Sequence, residues 1–236
     1  MEEYPKRKIP AYMTPQLNKE IAGYMQTMDY ADVKDHIYVY SFECEGANED
    51  QKVLLHDLQL SCPSLSLYGF RWFFIVDLSA IYPVRCWEYL DYNTISRWVQ
   101  NGEEDLGNRI KESAIANINR KLSSVRLELL YDDGCIDPQD IVAVYAVSIK
   151  NITAAPKYGC SLMLSERFLK LCHEYMGAYY LFPFTDHTLY LIRECGVAGS
   201  SKTAQEYFSA VAARHCLREQ GVLSERMLYF DGKLLR

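Results

Sequence analysis

Apolar residues recur every three or four positions in four stretches of the chain, the spacing typical of amphipathic helices. Two of these stretches begin at strong helix-capping signals. Ser165 precedes one, and Thr203 with Glu206 forms a capping box before another. The pattern therefore predicts helices over Pro15–Met28 (with Thr14 as its cap), Glu103–Leu122, Ser165–Met176 and Thr203–Glu219.

Short runs rich in β-branched and aromatic residues lie between these helices, and such runs are typical of strands. The stretch Trp87–Val99 is ambiguous, since Asp91 or Asn93 could begin a short helix there. The predicted strands are Ile37–Cys44, Val53–Leu60, Leu67–Leu78, Val125–Tyr131, Ile141–Ile149, Cys160–Leu164, Ala178–Phe182 and Thr188–Ile192, followed by a hairpin of Met227–Phe230 with Lys233–Leu235.

The order of these elements predicts an α+β fold with mixed or antiparallel sheets and packed helices. From Cys160 onward the order is β-α-β-β-α-β-β. We expect residues 1–30 to form an N-terminal arm and helix, and residues 31–236 to form the α+β domain. A further boundary near residues 124–135 is an alternative within that domain.

Composition narrows the classes of function. The chain has 236 residues, 49% hydrophobic content and a net charge of −6. A negative net charge disfavours binding to nucleic acid and to anionic membranes, because proteins bind both through the positive charges of lysine and arginine. The most apolar region has an unbroken core of only Trp72–Val76, far short of the roughly 20 residues that cross a bilayer. We expect neither kind of partner.

Eight cysteines are present at irregular spacings. The first thirty residues have no continuous apolar core, so we expect no signal peptide before the cysteines. Several fall within apolar patterns. They are therefore expected to be small buried hydrophobic residues of a cytoplasmic protein rather than disulfide partners.

Two groupings of residues suggest chemistry, one a metal site and the other a nucleophile with its base. His187, Cys172-His173 and His215-Cys216 could ligate zinc, but none has the close pair spacing of a metal motif. Asp186-His187 could serve Ser165 or Cys172 as a nucleophile–base set. The sequence favours structural roles for all of them, since Ser165 caps a helix and Cys172 lies on its apolar stripe.

Three further motifs suggest ligands, and each is better explained by structure. Asp132, Asp133, Asp137 and Asp140 form an acidic turn without the distal glutamate of a calcium loop. The segment 196–202 could present helix N–H groups to an anion, although its spacing is not that of a phosphate loop. The segment Tyr68–Phe73 resembles an RNA-stacking strand, but core packing is favoured because the expected basic residue is absent.

Three stretches of the C-terminal half carry a family resemblance: Tyr158–Gly177, Ala178–Ile192 and Leu223–Leu234. Together with Pro63–Leu78 and Glu103–Arg120, they make the chain resemble the DUF5688 family of Firmicutes and related gut bacteria from about residue 63 onward. Pro183 and His187 fall on a proline and a histidine of that family, while Thr188 replaces its following glutamate. Because no activity is assigned to the family, the resemblance implies a fold and a bacterial lineage.

These observations favour a non-enzymatic protein-interaction domain whose partner is another protein or a second copy. Tyr4, Tyr12, Tyr24 and Tyr30 suggest an interaction surface near the N-terminus, since tyrosine joins an apolar ring to a polar tip. The alternative is an enzyme or small-ligand-binding domain centred on the Pro183–His187 loop. No catalytic residue, metal or cofactor is assigned, and Pro183 and His187 are the candidate ligand-binding residues.

Overall fold

The computed structural model describes residues 15–43, 49–79, 81–82, 86–102, 105–130, 142–149, 159–185, 188–198, 203–217 and 222–236. The chain forms two compact units. The first consists of Met1–Ser66, Arg71–Asn117 and Thr153–Ala155, and the second of Leu67–Phe70, Ile118–Ile152 and Pro156–Arg236. The predicted α+β class is confirmed, since each unit combines one sheet with helices.

The first unit is built on a four-stranded sheet. In it β3 pairs with both β1 and β2, and β4 pairs antiparallel with the end of β3. The helices and strands are α1 (Pro15–Thr27), α2 (Tyr30–Val33), β1 (Ile37–Glu43), α3 (Glu49–Ser61), β2 (Ser64–Leu67), β3 (Phe70–Asp77), β4 (Trp87–Tyr89), α4 (Tyr92–Gln100) and α5 (Leu106–Arg120).

Aromatic residues form the core of this unit. Trp72 and Trp98 are fully buried, and the Trp98 indole N–H donates to the Met28 carbonyl at 2.9 Å. Tyr30 packs edge-on against Trp98, and its hydroxyl hydrogen-bonds the Ser113 hydroxyl at 2.8 Å. Tyr30 is therefore a core residue, which corrects its proposed place in an exposed N-terminal surface.

The predicted strand Val53–Leu60 is wrong, because this segment belongs to helix α3. Leu55, Leu58 and Cys62 recur at helical spacing and pack together in the core, while Val53 and Leu60 are exposed. Glu49 and Asp50 also stabilise the first turn of a helix through its dipole. The helical period of the buried residues, rather than the β-branched and apolar content, decides the structure.

The predicted strand Leu67–Leu78 is confirmed over β3, but its start is wrong: Leu67 ends the separate strand β2, and Tyr68-Gly69 form the turn between the two. Both turn residues have positive φ angles, 58° and 81°. Two successive positive φ angles characterise the two-residue hairpin turn that matches strand twist. The ambiguous stretch after it resolves into β4 and α4, with the Asp91 carboxylate accepting the Thr94 N–H at 2.8 Å.

The second unit is built on a five-stranded antiparallel sheet with the order β5-β6-β8-β7-β9. Helix α8 packs on one face of the sheet, and α6 packs on the other. The Tyr179 hydroxyl of β7 donates a hydrogen bond to the Leu169 carbonyl of α6. The elements are β5 (Val125–Leu130), β6 (Val144–Ile149), α6 (Glu166–Met176), β7 (Tyr179–Phe182), β8 (Thr188–Arg193), α7 (Glu194–Val197), α8 (Ala204–Arg214) and β9 (Leu228–Phe230).

The first strand of the predicted C-terminal β-α-β-β-α-β-β unit is wrong. Cys160–Leu164 forms a 3₁₀ helix, in which the Leu162 N–H donates to the Gly159 carbonyl at 3.2 Å. Four of its five side chains are buried, so it lacks the alternation of a half-exposed strand. A short continuous apolar run does not distinguish strand from helix, and here the run is a buried helical turn.

The two edges of this sheet differ. On the outer side of β9, Tyr229 and Arg236 exchange two backbone hydrogen bonds of 2.8 and 3.0 Å, and Phe230 bridges Leu235. On the outer side of β5, no described residue pairs with the strand. In the described part of the chain, one edge of this sheet is therefore covered and the other is open.

None of the described helices has both the length and the apolar content needed to cross a membrane.

Candidate interaction surface

The described part of the Pro183–His187 loop is packed and hydrogen-bonded. Pro183, Phe184 and Thr185 are all buried at the end of β7. The Phe184 carbonyl accepts the Leu223 N–H at 2.7 Å, and the Thr185 carbonyl accepts the Cys160 thiol at 2.9 Å. Asp186 and His187 lie outside the described residues, so the role of His187 stays a prediction.

Ser165 is fully buried and its hydroxyl has two structural partners. The hydroxyl donates to the Asn119 side-chain oxygen at 2.5 Å and accepts the Phe168 N–H at 3.0 Å. The second bond is the helix cap that the sequence predicts. Ser165 therefore stabilises the start of α6 rather than presenting a nucleophile.

Cys172 is a poor nucleophile for a different reason. Burial raises the pKa of its thiol to about 12, because a thiolate loses solvation in an apolar setting. A nucleophilic cysteine needs the opposite shift. The cysteines are not uniformly buried, however: Cys195 and Cys216 are exposed, which corrects the expectation for those two. Cys44 and Cys135 lie outside the described residues.

Two histidines of the possible zinc site, His173 and His215, lie in different surroundings. His173 packs edge-on against Phe230, whereas His215 lies exposed after the last turn of α8. Within the described ranges, no three His, Cys, Asp or Glu side chains are grouped as metal ligands. The acidic turn of Asp132, Asp133, Asp137 and Asp140 lies outside those ranges.

The N-terminus of α8 is capped by the side chains of Thr203 and Glu206. The Glu206 carboxylate accepts the Thr203 N–H at 2.6 Å, and the Thr203 hydroxyl accepts the Glu206 N–H at 3.3 Å. The predicted capping box is thus confirmed. An anion at this position would meet a carboxylate, which disfavours the phosphate alternative. Residues 199–202 of that motif are not among those described.

The aromatic strand that resembles an RNA-stacking surface is part of the core. Phe70, Trp72 and Phe73 are each no more than 1% exposed, so their rings cannot stack on bases. This observation confirms the core-packing alternative for this motif.

Among the described residues of the second unit, an apolar surface runs from the open strand β5 across β6 to α6. We call it the β5–α6 surface and define it by Leu127, Leu129, Tyr145, Leu171 and Tyr175. The exposed fractions of Leu127, Leu129, Leu171 and Tyr175 are 44%, 39%, 46% and 62%. Tyr175 is the most exposed of them.

The members of this surface are linked by direct geometry. Leu129 pairs with Tyr145 across the β5–β6 ladder, and the Tyr145 and Tyr175 ring centroids lie 6.3 Å apart in an edge-on arrangement. Leu171 lies one turn before Tyr175 on α6. The Arg193 guanidinium lies 5.6 Å from the Tyr175 ring centroid and donates to the Tyr175 carbonyl at 3.1 Å. The exposed ring is therefore held in place rather than loosely attached.

The opposite face of β5 carries charge. Arg126 and Glu128 are exposed and pair across the ladder with Ser148 and Ala146, which are small and uncharged. The sequence predicts β5 correctly as a strand, but strand prediction does not show that it lies at an edge. The feature of the sequence that could have indicated an edge strand is the alternation in VRLELL. In it, exposed leucines lie on one face of the strand and charged residues on the other.

Comparison with models of protein families, with curated proteins and with solved structures identifies no match. The resemblance to the DUF5688 family stays a prediction, and function is inferred from the surface geometry.

Proposed function

We propose that this chain is a protein-interaction domain without a catalytic role, and that it binds an extended segment of its partner along β5. The observation that carries the proposal is that no described residue pairs with the outer edge of β5, beside exposed Leu127 and Leu129. An unpaired strand edge offers a row of N–H and C=O groups, and an added strand can satisfy them.

The β5–α6 surface supplies the apolar part of this binding mode. A strand added beside β5 would place alternate side chains next to Leu127 and Leu129, because successive side chains of a strand point to opposite faces. Tyr145 and Tyr175 extend the apolar area away from the edge. Aromatic residues of this kind are enriched where protein partners bind.

The structural roles of Ser165 and Cys172 support the non-enzymatic part of the proposal, since both candidate nucleophiles are engaged in building α6. From the family resemblance and the cysteine content, we also propose a bacterial cytoplasmic location. The alternative centred on Pro183 and His187 gains no support from the described residues of that loop, all of which are buried.

Affinity capture with matched variants tests the binding mode. The wild-type chain should retain specific proteins, identified by mass spectrometry, that Leu127→Lys and Leu129→Lys lose. Val53→Lys changes an apolar residue on α3 that is even more exposed, at 63%, and this variant should retain them. The proposal is wrong if both β5 variants keep every partner of the wild-type chain, or if the wild-type chain binds neither another protein nor itself.

A further inference from the structure

We propose that the strand added at β5 is β5 of a second copy of this chain, forming an antiparallel pair centred on Leu127. This inference rests on the proposed function and names its partner. The observation behind it is the order of charged and apolar residues along β5. When a second copy of the strand runs in the opposite direction beside the first, the two sequences of side chains are complementary.

Symmetry limits how two copies of β5 can pair. Two identical antiparallel strands in one sheet are related by a two-fold axis perpendicular to it, so facing residues lie on the same sheet face. The sum of their residue numbers must then be even. Pairing at least three residues of β5 leaves four possible central residues: Arg126, Leu127, Glu128 and Leu129. Centring on Leu129 pairs only three residues and places Glu128 opposite the uncharged Leu130.

The charges select one of these registers. Centring the pair on Arg126 would place two arginines opposite each other, and centring it on Glu128 would place two glutamates opposite each other. Centring it on Leu127 places Arg126 of each copy opposite Glu128 of the other. Opposite charges directly across an antiparallel pair are stabilising, and like charges are destabilising.

The other face of the strand fits the same register. Leu127 then faces Leu127, and Val125 faces Leu129 in both directions, so the exposed leucines are covered by apolar side chains. Within each chain, Arg126 and Glu128 have only Ser148 and Ala146 opposite them on β6. Neither charge is therefore matched by an opposite charge across the β5–β6 ladder. Both faces of the strand therefore favour the Leu127-centred pair.

Oligomeric state tests the proposal directly. Sedimentation equilibrium of the wild-type chain should give a mass twice its 27.3 kDa at high concentration. Arg126→Glu alone, and Glu128→Arg alone, should each raise the dissociation constant at least about tenfold, because each converts two favourable cross-strand pairs into like-charge pairs. The double variant carrying both changes should restore the wild-type constant.

Mixing the two single variants provides the sharpest readout. Arg126→Glu and Glu128→Arg should each remain monomeric alone and form a mixed dimer when combined, since every facing pair is then of opposite charge. Circular dichroism should show the wild-type fold for both, because the two side chains are exposed. A single Leu127→Cys should form an interchain disulfide under mild oxidation beyond the background of wild-type thiols, because only residue 127 faces itself.

The outcomes separate this inference from the proposed function. A monomeric wild-type chain that still captures another protein in a Leu127-dependent manner overturns self-pairing and leaves the interaction domain intact. A monomeric chain without Leu127-dependent capture overturns both. A dimer that neither charge variant weakens, and that the mixture does not change, overturns the β5 register.

Discussion

The imidazole ring of His173 lies against Gly232, so close that a β-carbon at the glycine would sit 2.7 Å from the ring atoms Cε1 and Nε2. Gly232 also has a φ angle of +94°, which side chains disfavour. The turn after β9 therefore depends on glycine for two independent reasons, its backbone angle and its contact with α6.

Gly232→Ala should lower the free energy of unfolding by about 1–3 kcal/mol, because it combines backbone strain with a steric clash. The matched control is Gly23→Ala within α1, where nothing lies within 4 Å of the added carbon. That change should raise stability by about 0.5–1 kcal/mol. Urea denaturation measures both, and equal effects at the two glycines would contradict the argument.

The same turn gives a pH dependence. The N–H groups of Leu234 and Lys233 donate to the Asp231 carboxylate at 2.9 Å and lower its pKa. A carboxyl whose pKa is lowered by folding stabilises the folded state above its unfolded pKa, and this contribution is lost as pH falls through the folded pKa.

Asp231→Asn should thus be less stable than wild type near neutral pH, and the difference should shrink in acid. Thermal unfolding from about pH 7 to about pH 3 measures it. Asparagine keeps a carbonyl acceptor, so the variant isolates the charge. A difference that is constant with pH would mean that the carboxylate charge does not contribute.

Ser165→Ala should lower the free energy of unfolding by about 1–3 kcal/mol, because it removes a helix cap and leaves the Asn119 oxygen without its donor. Thr203→Ala removes the exposed cap of α8 and should cost less, about 0.5–1 kcal/mol. Denaturant titration of both variants is the measurement. A neutral Ser165→Ala would show that its two hydrogen bonds do not stabilise α6.

Thiol labelling should divide the cysteines into classes. At about pH 8, exposed Cys195 and Cys216 should react first with an aromatic disulfide reagent. Cys62, Cys86, Cys160 and Cys172 should react later, since they are buried or half-buried. Burial also raises the pKa of Cys172 to about 12 and that of Cys86 to about 11. Peptide mapping identifies the labelled residues, and denatured protein should label at all eight. Labelling of Cys172 at the rate of Cys195 would refute the assignment.

Elements whose signals are local could be predicted from the sequence. The caps at Ser165 and Thr203 and the apolar spacing behind them define α6 and α8, because caps and periodicity act within a few residues. The sequence-based interpretation failed where two local signals compete. In α3, leucines and a valine suggested a strand, while the spacing of Leu55 and Leu58 agreed with a helix.

The position of the β5–α6 surface depended on information that is not local. The pattern of β5 indicates a strand, but its place at the open edge follows from the order of five strands drawn from across the second unit. Tyr68 at a positive φ angle is also hard to predict, since such angles are uncommon for residues with large side chains. For His187 the sequence prediction still stands untested.

The covered edge at β9 determines what kind of assembly pairing through β5 can form. A sheet that is open on both sides can add copies indefinitely and grow into a fibre. Here the backbone of Tyr229 is already bonded to Arg236, and the described part of the sheet has its open edge at β5. In the described part of the sheet, each copy brings one open edge, and a pair uses both. Growth through this sheet would therefore stop at two copies.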